Sequence, residues 1–304
     1  MPDLVRRSAE SQGAAGVAWL AALPGVVDEL CRRWSLGLGE VLHGGKWAFV
    51  VRVRGGDGRA AVLKVAPPSA AFAGQVGTIR AAGGVGYVRV FDVDLDRYAL
   101  LMEPLGERLS AAGYGVERVL DVLGATLRRA WSVSPGDAVV AEVDVVGGLV
   151  RILDELWPLL EEPCSARLIG VVRLLLERRG AAGDPGGWVV CHGDPHADNA
   201  LAVLSPRTGA ESGYVFVDPD GFLCEPAYDL GVAMRGWTGE VLRAGDAVGL
   251  TRAWAGRLAA ATGVDARAVW EWGLIQRVTT GIYLMRHGHG EEGRAFLASA
   301  ERLV

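Results

Sequence analysis

The sequence predicts an α+β protein in two parts, a small β-rich N-terminal unit followed by a larger, mainly helical one. Three observations carry this. Short β-like runs crowd residues 40–102, and helix-spaced apolar residues dominate after them. The charge also changes sign: residues 1–104 hold 12 Lys+Arg and 10 Asp+Glu (+2), and residues 105–304 hold 19 and 26 (−7).

From the N-terminus, Leu20, Leu23, Val27, Leu30 and Trp34 recur at helical spacing within residues 14–35, with Pro24 expected at a break or first turn. Strands are expected over residues 40–42, 48–54 and 59–65, the last two joined by the turn Gly55-Gly56-Asp57-Gly58. A helix over residues 69–82 stops at Gly83-Gly84, and strands over 87–93 and 98–102 follow. After Pro104 the periodicity predicts helices over 116–131, 145–160 and 166–179. Short strands come next, over 188–191, 200–204 and 214–217, and the chain is helical again from Tyr228. The boundary falls at Glu103–Gly106, giving units of 1–103 and 104–304.

Composition excludes several classes. The chain is 50% hydrophobic with scattered Gly and Pro, which argues against disorder. A net charge of −5 without a basic run argues against nucleic-acid binding. No apolar run reaches the ~18–20 residues of a membrane span, so no membrane association is expected. Cys31, Cys164, Cys191 and Cys224 lack metal or disulfide spacing and read as reduced core thiols of a cytoplasmic protein. Lys46 and Lys64 stand against 29 arginines, which suggests that each retained lysine meets a need that arginine does not.

The densest polar cluster is His192-Gly193-Asp194-Pro195-His196-Ala197-Asp198-Asn199, held between apolar runs. Asp194 and Asn199 are five apart, so a carboxylate and an amide oxygen converge. One can orient a hydroxyl and accept its proton, and the other can ligate Mg²⁺. Asp218 ends the apolar run Val215-Phe216-Val217 and offers a second oxygen ligand. Lys64, inside Ala61-Val62-Leu63-Lys64-Val65, needs an anion, which phosphate oxygens supply. Gly44 and Gly45 lie between two strands, where glycine lets backbone approach phosphates.

His-Gly-Asp-x-x-x-x-Asn at 192–199 and Val-Asp-Pro-Asp at 217–220, with Glu225-Pro226 and Asp229-Leu230 beyond, resemble the aminoglycoside phosphotransferases, relatives of the protein kinases. Residues 18–24, 61–64, 78–84, 88–92 and 100–103 resemble the streptomycin 6-kinase and hydroxyurea kinase branch. The resemblance implies a bilobal protein-kinase-like fold and an ATP-dependent, Mg²⁺-using kinase for a small hydroxyl compound. It implies Asp194 as base, Asn199 and Asp218 as metal ligands and Lys64 on the α- and β-phosphates. The Glu103 carbonyl and Leu105 N–H would meet adenine, and His192 and Asp229 would brace the loop. Gln75 stands where kinases place a glutamate beside the strand lysine, a departure that concerns Lys64.

The acceptor is expected to be a cationic, streptomycin-type compound, with hydroxyurea or an amino sugar as the alternative. Candidate recognition residues are Asp220, Glu225, Trp237, Glu271, Trp272, Glu291 and Glu292, because carboxylates and indoles suit guanidinium and ammonium groups. Two rival readings are weaker. A metallohydrolase would use His192, Asp194, His196 and Asp198, but His43, His287 and His289 form no second cluster. A pseudokinase rests on Gln75 alone.

Overall fold

The computed structural model describes residues 2–42, 48–138 and 143–304. The expected phosphate-contacting Gly44 and Gly45 lie outside the described residues.

Helices α1 (Asp3–Ser11) and α2 (Ala14–Arg33) open the chain. Helix α1 is an addition to the expected elements. Helix α2 also corrects the expected break, because it runs straight through Pro24. Pro24 faces out while Trp19, Leu23, Val27 and Leu30 form the buried stripe, so packing outweighs the lost hydrogen bond. Helix α2 is long and apolar enough to span a membrane, yet its buried stripe shares one core with strand residues.

Strands β1 (Leu36–Val41), β2 (Phe49–Gly55) and β3 (Ala60–Val65) lead into α3 (Phe72–Ala82), then β4 (Val90–Asp94) and β5 (Ala99–Met102). They form one antiparallel sheet in the order β1-β2-β3-β5-β4. The strand period of two sorts its faces. Ala61, Leu63 and Val65 pack with α1 and α2, and Val62 packs in the other core with Phe72, Val76 and Ile79 of α3. Lys64 follows by alternation on the Val62 side.

Two smaller sheets hold the polar loops singled out in the sequence. Strands β6 (Leu105–Arg108), β8 (Ala200–Val203) and β9 (Tyr214–Phe216) form one, and β7 (Val189–Cys191) pairs with β10 (Phe222–Cys224) in the other. Loop 192–199 thus runs from β7 to β8, and loop 217–221 runs from β9 to β10, between strands that pair with each other. The loops are also tied directly: Val217 N donates to the Asn199 carbonyl at 3.0 Å, and Asp220 N to the His192 carbonyl at 2.7 Å. Residues 86–88 attach to β9, with Phe216 N on the Gly86 carbonyl and Val88 N on the Phe216 carbonyl.

The remainder is helical: α4 (Val116–Ala130), α5 (Val145–Leu159), α6 (Ala166–Ala182), α7 (Ala227–Met234), α8 (Thr238–Arg243), α9 (Ala247–Thr262), α10 (Ala266–Arg286) and α11 (Gly290–Glu301). Asp144, Ser165, Asp246 and Asp265 cap their helices by accepting backbone N–H bonds. Helix α10 is buried on nearly every side from Ala268 to Thr279, the mark of a central core helix.

Helix α7 approaches α10 at Gly231. A Cβ there would lie 2.5 Å from Trp272 Cβ and 2.6 Å from the Trp272 carbonyl carbon. Gly231→Ala must therefore push the helices apart, with an expected loss of roughly 1–3 kcal/mol. A denaturant midpoint unchanged from the parent would refute this packing.

Candidate active site

The base of the site is a buried carboxylate. Asp229, in the first turn of α7, is fully inaccessible. Its Oδ2 accepts from His192 N at 2.8 Å and from Trp131 Nε1 at 2.9 Å, and its Oδ1 accepts from Gly193 N at 2.9 Å. Burial pushes its pKa up to about 6, against the pull of these donors. Three elements are thereby joined: α4 through Trp131, the 192–199 loop and α7.

The same loop needs glycine at 193. Its φ is +88°, and a Cβ would meet Asp220 Oδ2 at 2.5 Å and the Phe222 ring at 2.9 Å. His192 is buried beside it, stacked on Tyr87 with ring centroids 5.9 Å apart. Its Nδ1 accepts from Asp194 N at 3.2 Å, so Nε2 is the protonated nitrogen and donates to the Val217 carbonyl at 2.9 Å. Burial lowers its pKa to about 4.

Asp194 emerges from this frame part-exposed. Its Oδ1 accepts from Arg235 Nη2 at 2.5 Å. Its Oδ2 faces His196 Nε2 at 3.1 Å, and His196 Nδ1 accepts from Asp198 N at 3.2 Å. Burial alone would raise the Asp194 pKa. The bond from His196 and the Arg235 charge outweigh it and hold the carboxyl well below the usual carboxylate range. Asn199 donates from Nδ2 to the Asp194 carbonyl at 3.0 Å, leaving its Oδ1 as the atom to spend.

Asp218 sits in the left-handed region (φ +58°), which aspartate tolerates better than most residues. Its Oδ1 meets Lys64 Nζ in a direct ion pair across 154 positions of sequence. Lys64 Nζ also donates to Gln75 Oε1 at 3.3 Å, and Gln75 Nε2 donates to the Pro219 carbonyl at 3.3 Å. Asp220 completes the acidic group. Desolvation, then the charges of Asp194 and Asp229, push its pKa up to about 6.

Lys64, Asp194, Asn199, Asp218 and Asp220 are thus joined in one continuous set of loops. Glu103 and Leu105 lie at the junction of β5 and β6, where the Glu103 carboxylate accepts from Arg89 N at 2.9 Å and Arg207 Nη2 at 2.6 Å. Two of the expected recognition carboxylates, Glu271 and Glu225, are engaged within the fold, while Glu291 stays exposed. Glu271 is buried, accepts from Arg178 at 2.5 Å and Arg267 at 2.9 Å through Oε1, and forms an ion pair with Arg179 at 2.9 Å. Glu225 accepts from Trp272 Nε1 at 2.7 Å and pairs with Arg179 at 3.3 Å. Trp237 packs edge-on against Trp254 at 6.0 Å. Glu291 lies in the first turn of α11.

Sequence reasoning missed Arg235 and Trp131, and it named His196 only as a ligand in the weaker metallohydrolase reading. Nothing in the local pattern marks Arg235 or Trp131, since each reaches its aspartate only through tertiary packing. His196 carried a signal, its place two residues after Asp194.

The neutral, buried His192 has a consequence for stability. Its folded pKa of about 4 lies below its unfolded value, so the unfolded chain binds a proton in this range that the native chain does not. Its contribution is complete above about pH 6.5 and is lost as pH falls toward 4, by up to about 3 kcal/mol. Asp220 and Asp229 titrate in the opposite sense, so the difference between parent and His192→Gln isolates the effect. Parallel stability curves for the two proteins between pH 4 and 7 would refute it.

Comparison with known proteins bears on this geometry. The sequence pattern of the phosphotransferase enzyme family matches residues 40–272. The chain is 30% identical to a streptomycin 6-kinase of Streptomyces griseus over 78% of this chain and 75% of that one. It is also 30% identical to a hydroxyurea phosphotransferase of Kitasatospora aureofaciens, over 75% of this chain and 65% of that one. Its fold superimposes with a TM-score of 0.57, at 12% identity, on an aminoglycoside phosphotransferase complexed with AMP-PNP and hygromycin B, covering 91% of this chain and 97% of that one. The protein-kinase-like fold, the paired loops and these relatives agree: the chain belongs to the phosphotransferase enzyme family and is a small-molecule kinase.

Proposed function

We propose that this kinase transfers the γ-phosphoryl group of ATP to a hydroxyl of a cationic, streptomycin-type small molecule. The observation that carries the reading is the Lys64–Asp218 ion pair. It brings the strand lysine and the second oxygen-bearing loop, each singled out for phosphate chemistry, to one place.

In this reading Asp194 accepts the acceptor proton, and its depressed pKa keeps it ionised across the working range. Asn199 Oδ1 and an Asp218 oxygen form an oxygen-only donor set of the kind Mg²⁺ prefers, and Mg²⁺ when bound offsets phosphate charge. Lys64 turns from Asp218 toward the α- and β-phosphates. The Glu103 carbonyl and Leu105 N–H receive adenine between β5 and β6. Use of ATP favours the cytoplasm. The cationic acceptor is supported by the −7 charge of residues 105–304 and by Asp220 beside Asp194. With Glu225 and Glu271 committed to arginines, Asp220 is the recognition carboxylate nearest the chemistry.

Asp194→Asn is expected to lower kcat by roughly 10²–10⁴ with the fold intact. Near-normal turnover by that variant would remove Asp194 as the base. Asp218→Ala is expected to abolish Mg²⁺-dependent ATP turnover, read directly by a coupled ADP assay.

A panel of streptomycin, hydroxyurea and amino sugars tests the acceptor. Streptomycin is expected to be phosphorylated, with a KM that rises with salt as attraction is screened over about 8 Å. Expression should raise the streptomycin concentration that a sensitive host tolerates. Turnover of hydroxyurea but not streptomycin, at a KM indifferent to salt, would overturn the cationic acceptor and leave the kinase standing.

A further inference from the structure

Arg235 ends α7, six residues beyond Asp229. Its side chain is only 19% exposed, and its guanidinium makes one bond among the described residues, Nη2 to Asp194 Oδ1. A guanidinium carries five N–H donors in a rigid fork. No nitrogen of Arg235 is both sealed from solvent and unpartnered, so the donors left over are open to solvent beside Asp194.

The charges around it make that fork informative. Asp194, Asp218 and Asp220 gather carboxylates where a triphosphate must enter. Among the described residues, two side-chain cations with a permanent charge pair with this group: Lys64 on Asp218 and Arg235 on Asp194. They reach the site from different elements, Lys64 from β3 and Arg235 from the end of α7. A hydroxyl held by Asp194 is one oxygen away from the phosphorus it attacks. The equatorial oxygens of that phosphoryl group therefore pass beside whatever else is bonded to Asp194: His196 on Oδ2 and Arg235 on Oδ1, of which Arg235 alone carries a permanent charge.

We propose that Arg235 is a catalytic residue that contacts the phosphoryl group in transit. The proposal rests on the kinase reading of this site. As the acceptor oxygen–phosphorus bond forms, the acceptor proton passes to Asp194. The bond from the γ-phosphorus to the bridging oxygen breaks, and its electron pair leaves on ADP. Arg235 exchanges no proton, since guanidinium stays charged throughout. It donates hydrogen bonds to phosphoryl oxygens whose charge is spreading, where a preorganised cation is most effective.

The competing account makes Arg235 only a counter-ion for Asp194, and a double-mutant cycle separates the two. The probes are Mg·ADP and Mg·ADP with aluminium tetrafluoride, a planar stand-in for the phosphoryl group, so no acceptor is needed. The readout is the ratio of the two affinities by calorimetry. Arg235→Gln is expected to reduce that ratio tenfold or more while Mg·ADP affinity stays within threefold, and Arg235→Lys to recover part of it. The reduction should persist when Asp194 is already Asn, because the contact is with the phosphoryl group. Thermal midpoints close to the parent's exclude misfolding, and Arg235→Lys serves where the glutamine variant is unstable. A ratio unchanged within threefold, or a reduction that vanishes in the Asp194→Asn background, overturns the proposal. A parent protein that binds no Mg·ADP overturns the kinase reading itself, and this inference with it.

Discussion

The buried carboxylate of Asp229 is the constraint on which the site depends. A charge without access to water is costly unless every acceptor position is used. Here three N–H groups use it, two from the backbone of His192 and Gly193 and one from the Trp131 indole. Those bonds work only if the loop turns sharply at residue 193, which glycine alone does without strain. The turn then lets His192 pack beneath Tyr87 and Phe216 and lets its ring receive Asp194 N. The position of Asp194 is thus an outcome of α7, and α7 is held by Gly231 against α10.

From that frame outward the charges are arranged in pairs. Deep in the helical part, Glu271 and Glu225 are consumed by Arg178, Arg179, Arg267 and Trp272. These contacts tie α6 to α10 and to the segment before α7, so acidic residues that look like ligand groups in the sequence are braces. At the site mouth the carboxylates are more exposed. Asp194 and Asp218 are reachable by solvent while Lys64 and Arg235 are largely covered, so each pair has one open side at which a ligand can compete. The same pairing, carboxylate against cation, thus has a covered carboxylate at the braces and a solvent-reached one at the site mouth.

That distinction explains what was legible in the sequence. Local patterns revealed the strand lysine, the 192–199 loop and Asp218, because each combines chemistry-bearing residues with an apolar run of clear period. They revealed most helices for the same reason. Strands β6 and β10 were missed, each only three or four residues long and made strand-like by its partner rather than its own pattern. Burial was the larger loss. Nothing about Glu271 in sequence says that three guanidiniums will reach it, and nothing about Arg235 says that it will reach Asp194. Both facts belong to how α6, α7 and α10 pack, which a linear pattern does not encode.

Gln75 shows how a departure from an expected residue can be read physically. A glutamate there would give Lys64 a charged partner and would crowd another carboxylate beside Asp218 and Asp220. The glutamine does something a carboxylate cannot: its oxygen accepts from Lys64 while its nitrogen donates to the Pro219 carbonyl. One neutral side chain on α3 thereby links the lysine of β3 to the backbone of the Asp218 loop. The charge that balances Lys64 is then Asp218 itself. Both partners of that ion pair are groups a nucleotide and its metal would claim. With no fixed glutamate in competition, Lys64 would give up only Asp218 to a phosphate, and Gln75 would still tie α3 to the Asp218 loop.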